Sequence, residues 1–234
     1  MMPRWLHFPV ENSPVFNVCP SCGIYSDEKL IDPQGPYVVC PYCGDRRRFV
    51  QLPLFILTGA SGSGKSTICL ALVARMSECV FLENDIFWRA EFATPENNYY
   101  GFRNLCLRAA KNISQASRPV MLCGSAIPEQ YETCTERRYF SETHYLALVC
   151  NEQELVRRLR DRPGWRRSSM PEVIEEMVKF NRWFEENADK TRPPMTLLDN
   201  THLSLEETVE QVAVWIRSRL PLVSSCPQET RGGY

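Results

Sequence analysis

The sequence carries almost no net charge: 27 Lys and Arg stand against 28 Asp and Glu, a formal charge of −1. A chain so balanced has no overall electrostatic reason to seek nucleic acid or an anionic membrane surface. It has no apolar run long enough to cross a bilayer. Its first residues, MMPRWLHFPVENSP, lack the apolar centre of a secretion signal, which predicts a cytoplasmic protein. Internal repeats are missing, apart from two cysteine knuckles. A disulfide framework is not expected either, although there are 11 cysteines. Those outside the knuckles are scattered, mostly in apolar runs such as VMLCGS and LALVC. There they read as small buried hydrophobes in a reducing compartment.

What is present is ordinary globular composition, 44% hydrophobic and 24% charged over 234 residues. That is enough for one good-sized core and a small appendage. The chain divides near Val50. Residues 15–50 hold the knuckles, residues 51–221 alternate apolar strands with helical patterns, and residues 222–234 read as a flexible tail.

The knuckles are Cys19-Pro-Ser-Cys22-Gly and Cys40-Pro-Tyr-Cys43-Gly, separated by 17 residues. Each CxxCG turn can aim two thiolates at one Zn²⁺, with Gly23 and Gly44 permitting the bend after the second ligand. Two such turns close a tetrahedral Cys₄ site with no open position, so the expected zinc is structural. The pattern looks like a zinc ribbon. A redox CxxC would normally be single and beside a βαβ unit.

Five short apolar runs read as strands: 53–58, 79–83, 119–123, 145–150 and 195–199. Each is nearly continuous in hydrophobicity, as for strands covered on both faces. Helical patterns lie between them. The last is the clearest, with Leu205, Val209, Val212, Ile216 and Leu220 on one face and a Ser204/Glu207 capping box at its start. This alternation predicts an α/β fold, a five-stranded parallel doubly wound sheet, with ligands beyond the strand C-termini.

The first of these strands runs into Gly59-Ala60-Ser61-Gly62-Ser63-Gly64-Lys65-Ser66-Thr67, which fits GxxxxGK[ST]. The glycines let the backbone N–H groups curl around phosphate oxygens, and the following helix adds its positive end. Lys65 reaches the β- and γ-phosphates of ATP, and Ser66 offers a hydroxyl to Mg²⁺. The second strand ends in FLENDIFW. Asp85, just past its end, is the expected base that orients an acceptor hydroxyl and takes its proton; the alternative is a cap on the following helix. Glu83 is expected as a contact to the magnesium shell. The third strand lacks the aspartate an ATPase usually places there and has Cys123-Gly124-Ser125 instead. These small residues would let substrate or a metal-bound water approach closely.

Six arginines crowd residues 157–167: Arg157, Arg158, Arg160, Arg162, Arg166 and Arg167. Their forks match phosphate oxygens, and Pro163-Gly164 is a natural hinge, so a lid over about 157–170 is expected. Arg158 and Arg162, one turn apart, share a face. The later stripe Val173, Met177, Phe180 and Phe184 reads as core rather than substrate contact.

From Leu52 to Leu220 the chain resembles the small P-loop kinases of metabolites, the group containing gluconate, shikimate and adenylate kinases. The resemblance rests on GASGSGKST, Asp85, CGSAIPEQY, the RRLRDR helix and LLDNT before the last helix. CGSAIPEQY and Met170-Pro171 are similar to gluconate kinase in particular. The resemblance implies an ATP-dependent phosphotransferase with a closing lid. It also implies that Asp199, Asn200 and Thr201 lie near adenine. Gluconate kinase has a His-Phe pair in its lid where this chain has Gly164-Trp165, so the acceptor does not carry over.

The expected partner is a small hydroxyl-bearing acceptor: a sugar acid, nucleoside or antibiotic-like alcohol. A kinase of RNA or DNA ends is the alternative, favoured by the ribbon and Arg46–Arg48 and disfavoured by the balanced charge. A nucleotide-binding regulator without transfer chemistry is a third reading. The ribbon is expected to pack on the core and shape or cover the acceptor site, with Arg46–Arg48 near bound phosphates.

Overall fold

The computed structural model describes residues 17–220 except Asp27, and of Arg166 the backbone alone. The lead-in before Asn17 and the tail expected at 222–234 lie outside the described residues.

The N-terminal module is a three-stranded antiparallel sheet, β1 (Leu30–Asp32), β2 (Tyr37–Val39) and β3 (Arg46–Arg48), in the order β1-β2-β3. One knuckle precedes β1, and the other lies in the connection between β2 and β3. Gly23 and Gly44 take φ of 74° and 72°, the left-handed bend expected after each second cysteine.

The remainder builds around a parallel sheet. In chain order the elements are β4 (Leu54–Gly59), α1 (Lys65–Val73), β5 (Val80–Glu83), α2 (Tyr100–Ser114), β6 (Val120–Cys123) and α3 (Pro128–Glu132). Then come β7 (Thr143–Val149), α4 (Glu152–Arg160), α5 (Pro171–Asn187), β8 (Met195–Asp199) and α6 (Leu205–Arg217). The strand order is β5-β6-β4-β7-β8, all parallel, so β4 sits at the centre. All five strands fall within a few residues of the apolar runs that predict them.

Strand periodicity explains the two layers of helices. Leu54 and Ile56 join Val120, Leu122, Tyr145 and Ala147 against α2 and α5. Phe55 and Leu57 join Met121, Leu146 and Leu148 against α1 and α6. Successive side chains point to opposite faces, and each face has its own helices. The central strands β4 and β6 are buried throughout. The edge strands β5 and β8 are only half covered, so the expectation of two buried faces does not hold for them. An edge strand has one neighbour and thinner helix cover.

The module meets the core at α2 and at the turn Thr135–Tyr139. Phe49 packs edge-on against Tyr139, with ring centroids 6.2 Å apart, and Val38 completes the cluster. Beside them, Lys111 lies 2.8 Å from the carboxylate of Glu136, and both are almost fully buried. Arg108 holds the same carboxylate at 2.8 Å. Lys111 also donates to Asn17 Oδ1 at 2.6 Å, two residues before Cys19. Gln115 at the end of α2 exchanges hydrogen bonds with both backbone groups of Val50.

Candidate active site

The loop after β4 has the form that a phosphate cradle requires. Gly59 has φ of 138°, and a Cβ there would meet the Leu148 carbonyl oxygen at 2.4 Å. Gly62 and Gly64 are left-handed as well, at 93° and 100°. The first turn of α1 has no side-chain cap, so its N–H groups remain for an anion. Lys65 is buried and donates only to the carbonyls of Gly59 and Ala60, each at 2.9 Å. Burial pulls its ammonium down to about 8. A buried cation held only by carbonyls lacks an anionic partner. These features fit a nucleotide triphosphate.

The donor set for a hard cation is beside it. The Ser66 hydroxyl donates to a carboxylate oxygen of Glu83. β5 and β6 are neighbours in register, with Glu83 opposite Cys123. The carboxylate that the third strand lacks is therefore presented by the next strand. Oxygen donors of this kind suit Mg²⁺, which would neutralise phosphate charge when bound.

The loop separates two cavities. The larger, about 660 Å³, is lined by Ser61, Lys65, Ser66, Glu83, Asp85 and Arg162 near the loop. Its lining also includes five aromatic side chains, Trp88, Tyr99, Phe102, Phe180 and Trp183, with the charged Glu176 and Lys179. Asp85 lies in a 3₁₀ turn, Asn84–Phe87, whose N-cap is Glu83 and which no side chain caps. The capping alternative for Asp85 therefore does not apply, and its exposed carboxylate lines the cavity. The smaller cavity, about 300 Å³, is lined by Gly62, Gly64, Thr67, Arg158, Arg162 and Asn200, with Leu203 and Leu205.

Other expected residues divide. Arg158 binds Asn200 Oδ1 at 2.9 Å and Glu154 at 2.7 Å and faces only the smaller cavity. Arg162 lines both. Arg157 pairs with Glu154 and Asp161 on its own helix, away from the loop. Asn200 is buried and donates to Ser63 O at 2.8 Å, so it props the loop from beneath. Asp199 and Thr201 hydrogen-bond one another and do not line the smaller cavity. Gly124 answers to packing as well: a Cβ there would meet Asn84 Nδ2 at 2.8 Å. The α5 stripe splits, because Phe184 is core while Met177 and Phe180 line the larger cavity.

The ribbon does not cover either cavity. Its described residues contribute nothing to their linings, and two of its arginines are paired within the module, Arg46 with Asp32 and the Tyr37 ring and Arg47 with Asp45, while Arg48 is exposed. The strand β3 carrying them pairs antiparallel with β2.

At the knuckles the four Sγ atoms lie within 4.8 Å of one another, with Cys19–Cys43 at 3.7 Å and Cys22–Cys40 at 3.8 Å. A tetrahedral Zn²⁺ with bonds of about 2.3 Å would separate its sulfurs by about 3.8 Å. Backbone N–H groups of Cys43 and Tyr42 bring the Cys40 thiol down to about 6. The Asp45 amide favours a Cys43 thiolate too, yet burial and the other three sulfurs push Cys43 up to about 12. A dication removes that repulsion, so the cluster fits zinc.

Sequence reasoning missed Arg103, Asn84 and Tyr131. Arg103 lines the larger cavity and is 6% exposed. Its signal was a cation set within the apolar stripe Phe102, Cys106, Leu107 and Ala110 of α2, a stripe that also carries Lys111.

The class that this fold and loop define is the P-loop nucleotide-binding domains. A family model described as an AAA domain matches residues 56–178, more than half of the chain, and the protein belongs to that family. No curated protein matches in sequence. Among solved structures, a sugar kinase from Janibacter sp. HTCC2649 superposes with a TM-score of 0.54 at 16% identity, covering 71% of this chain and 95% of its own. A gluconokinase from Sinorhizobium meliloti 1021 gives 0.51 at 19% identity, covering 74% of this chain and 95% of its own. The tunicamycin resistance protein of Deinococcus radiodurans gives 0.50 at 16%, covering 71% and 95% respectively. At these identities the likeness is one of fold.

Proposed function

We propose that the protein is an ATP-dependent phosphotransferase that moves the γ-phosphoryl group to a hydroxyl of a small molecule. The carrying observation is the cavity of about 660 Å³ that opens from Lys65 and Ser66 and holds the exposed carboxylate of Asp85. A nucleotide alone would not need that volume beyond the loop. ATP is held with its phosphates on the loop amides and Lys65 and its base in the smaller cavity, walled by Arg158 and Asn200. Asp85 orients the acceptor hydroxyl and takes its proton as the new O–P bond forms; the bond to the β–γ bridging oxygen breaks and ADP leaves. Arg162, lining both cavities, is placed to stabilise charge on the transferring group. Ser66 and Glu83 would hold the magnesium shell.

The sugar and gluconate kinases among the fold neighbours support this class of reaction. The internal pairing of Arg46 and Arg47 favours a small acceptor over a nucleic-acid end. The open Asp85 carboxylate supports catalysis over a purely regulatory role. The test is ADP release over a library of hydroxyl-bearing metabolites, with an RNA and a DNA 5′-hydroxyl included. Turnover with a metabolite is expected; turnover with the nucleic acids alone would reverse the reading.

A further inference from the structure

Arg103 is a buried cation without a counter-ion. Its Nη2 donates to Ser125 O at 2.7 Å and to Gln130 Oε1 at 3.2 Å. Its Nε has no acceptor, and no carboxylate pairs with it among the described residues. The two other basic residues farther along the same helix differ, since Arg108 and Lys111 share Glu136. The Tyr131 ring lies 5.3 Å from the guanidinium carbon. Burial raises the Tyr131 phenol far above its usual range, so it does not serve as the anion. A buried guanidinium is costly to hold unless an anion reaches it, and its planar fork matches an oxyanion.

Five aromatic rings line the same cavity, alongside polar residues that include Glu176 and Lys179. Trp88 lies 5.1 Å from Phe102 and 6.2 Å from Tyr99, while Phe180 and Trp183 stack at 6.3 Å. Such faces take a flat ring better than a fully hydroxylated chain. Asp85 and Lys65 line the same space.

We propose that the acceptor is an alcohol built on a flat ring and carrying an oxyanion, a carboxylate or a phosphate ester, that docks on Arg103. This rests on the phosphotransferase reading for its hydroxyl end. The ring lies along the aromatic wall, and the hydroxyl points to Asp85.

The test separates binding from turnover, using the full chain. Benzoate, phenyl phosphate and the neutral benzyl alcohol are titrated with ADP present, by tryptophan fluorescence and by calorimetry. At least one of the two anions should bind about tenfold or more tighter than the alcohol, and comparing them identifies the source of the oxyanion. Arg103→Gln should remove that preference, Arg103→Lys should keep part of it, and Trp88→Ala should weaken both anions. Circular dichroism checks that each variant folds. Equal binding of charged and neutral probes, or an anion preference that survives in folded Arg103→Gln, overturns the proposal. In parallel, ADP release is followed with ring alcohols bearing either oxyanion and with neutral counterparts. Anion preference without turnover of any alcohol would overturn the transfer reading and the acceptor proposal with it, leaving an anion site alone. Turnover confined to neutral alcohols would overturn the acceptor and leave the transfer reading standing.

Discussion

The two halves of this molecule are held together by different physics. The P-loop core buries two apolar layers, one on each face of a five-stranded sheet. The N-terminal module has three strands of three residues each and one small cluster, which borrows Tyr139 from the core. A segment of this length buries too little to fold alone without metal. The core can therefore afford unsatisfied groups such as Lys65 at its ligand end, while the module depends on its four sulfurs. Stability and function are expected to separate accordingly: the cysteine cluster would hold the one together, and the loop and its cavities would serve the other.

The sharpest way to break this contrast is to remove the metal. Structural zinc contributes about 10–16 kcal/mol in isolated finger peptides. A strong chelator, or Cys40→Ser, should release the zinc and unfold residues 17–50. Hydrogen exchange should show protection lost there and kept in β4, β6 and β7, with ATP affinity changed by less than about threefold. If purified protein carries no zinc or iron and residues 17–50 stay protected, the module is not a metal site. The next largest effect belongs to the other half. Asp85→Asn should lower transfer by about 10²–10⁴-fold with ATP binding retained, whereas Lys65→Ala should also weaken ATP binding. Calorimetry together with ADP release distinguishes them. Loss of ATP binding with unchanged residual turnover in Asp85→Asn would make Asp85 structural.

Much of the core was legible in the sequence because buried parallel strands are continuous apolar runs, and because GASGSGKST has one geometry between a strand and a helix. Glu83 and Asp85 were legible as carboxylates at a strand end. What local pattern does not carry is pairing across the chain. Lys111 and Glu136 are 25 positions apart, and nothing in either neighbourhood announces the other. Arg103 was hidden in the stripe of α2, where a cation reads as an interruption rather than a site. The pairing of Arg46 and Arg47 was hidden too, because their partners Asp32 and Asp45 read as mere charge balance.

The smallest effect tests the joint between the halves. Lys111 is 1% exposed and Glu136 is 0% exposed, and Lys111 also holds Asn17, two residues before Cys19. Lys111→Met leaves Glu136 with Arg108 alone and should cost about 3 kcal/mol. Replacing Glu136 by Leu as well should recover most of that, since an apolar pair avoids the buried charge. Part of the cost lies within the core, between α2 and the Thr135–Tyr139 turn, and persists without zinc. The part through Asn17 requires a folded module. In denaturant titrations Lys111→Met should therefore cost about 1 kcal/mol more in zinc-loaded than in chelated protein. Equal costs in the two states would mean that the module rides on the core without stiffening α2, the helix that carries Arg103 to the cavity.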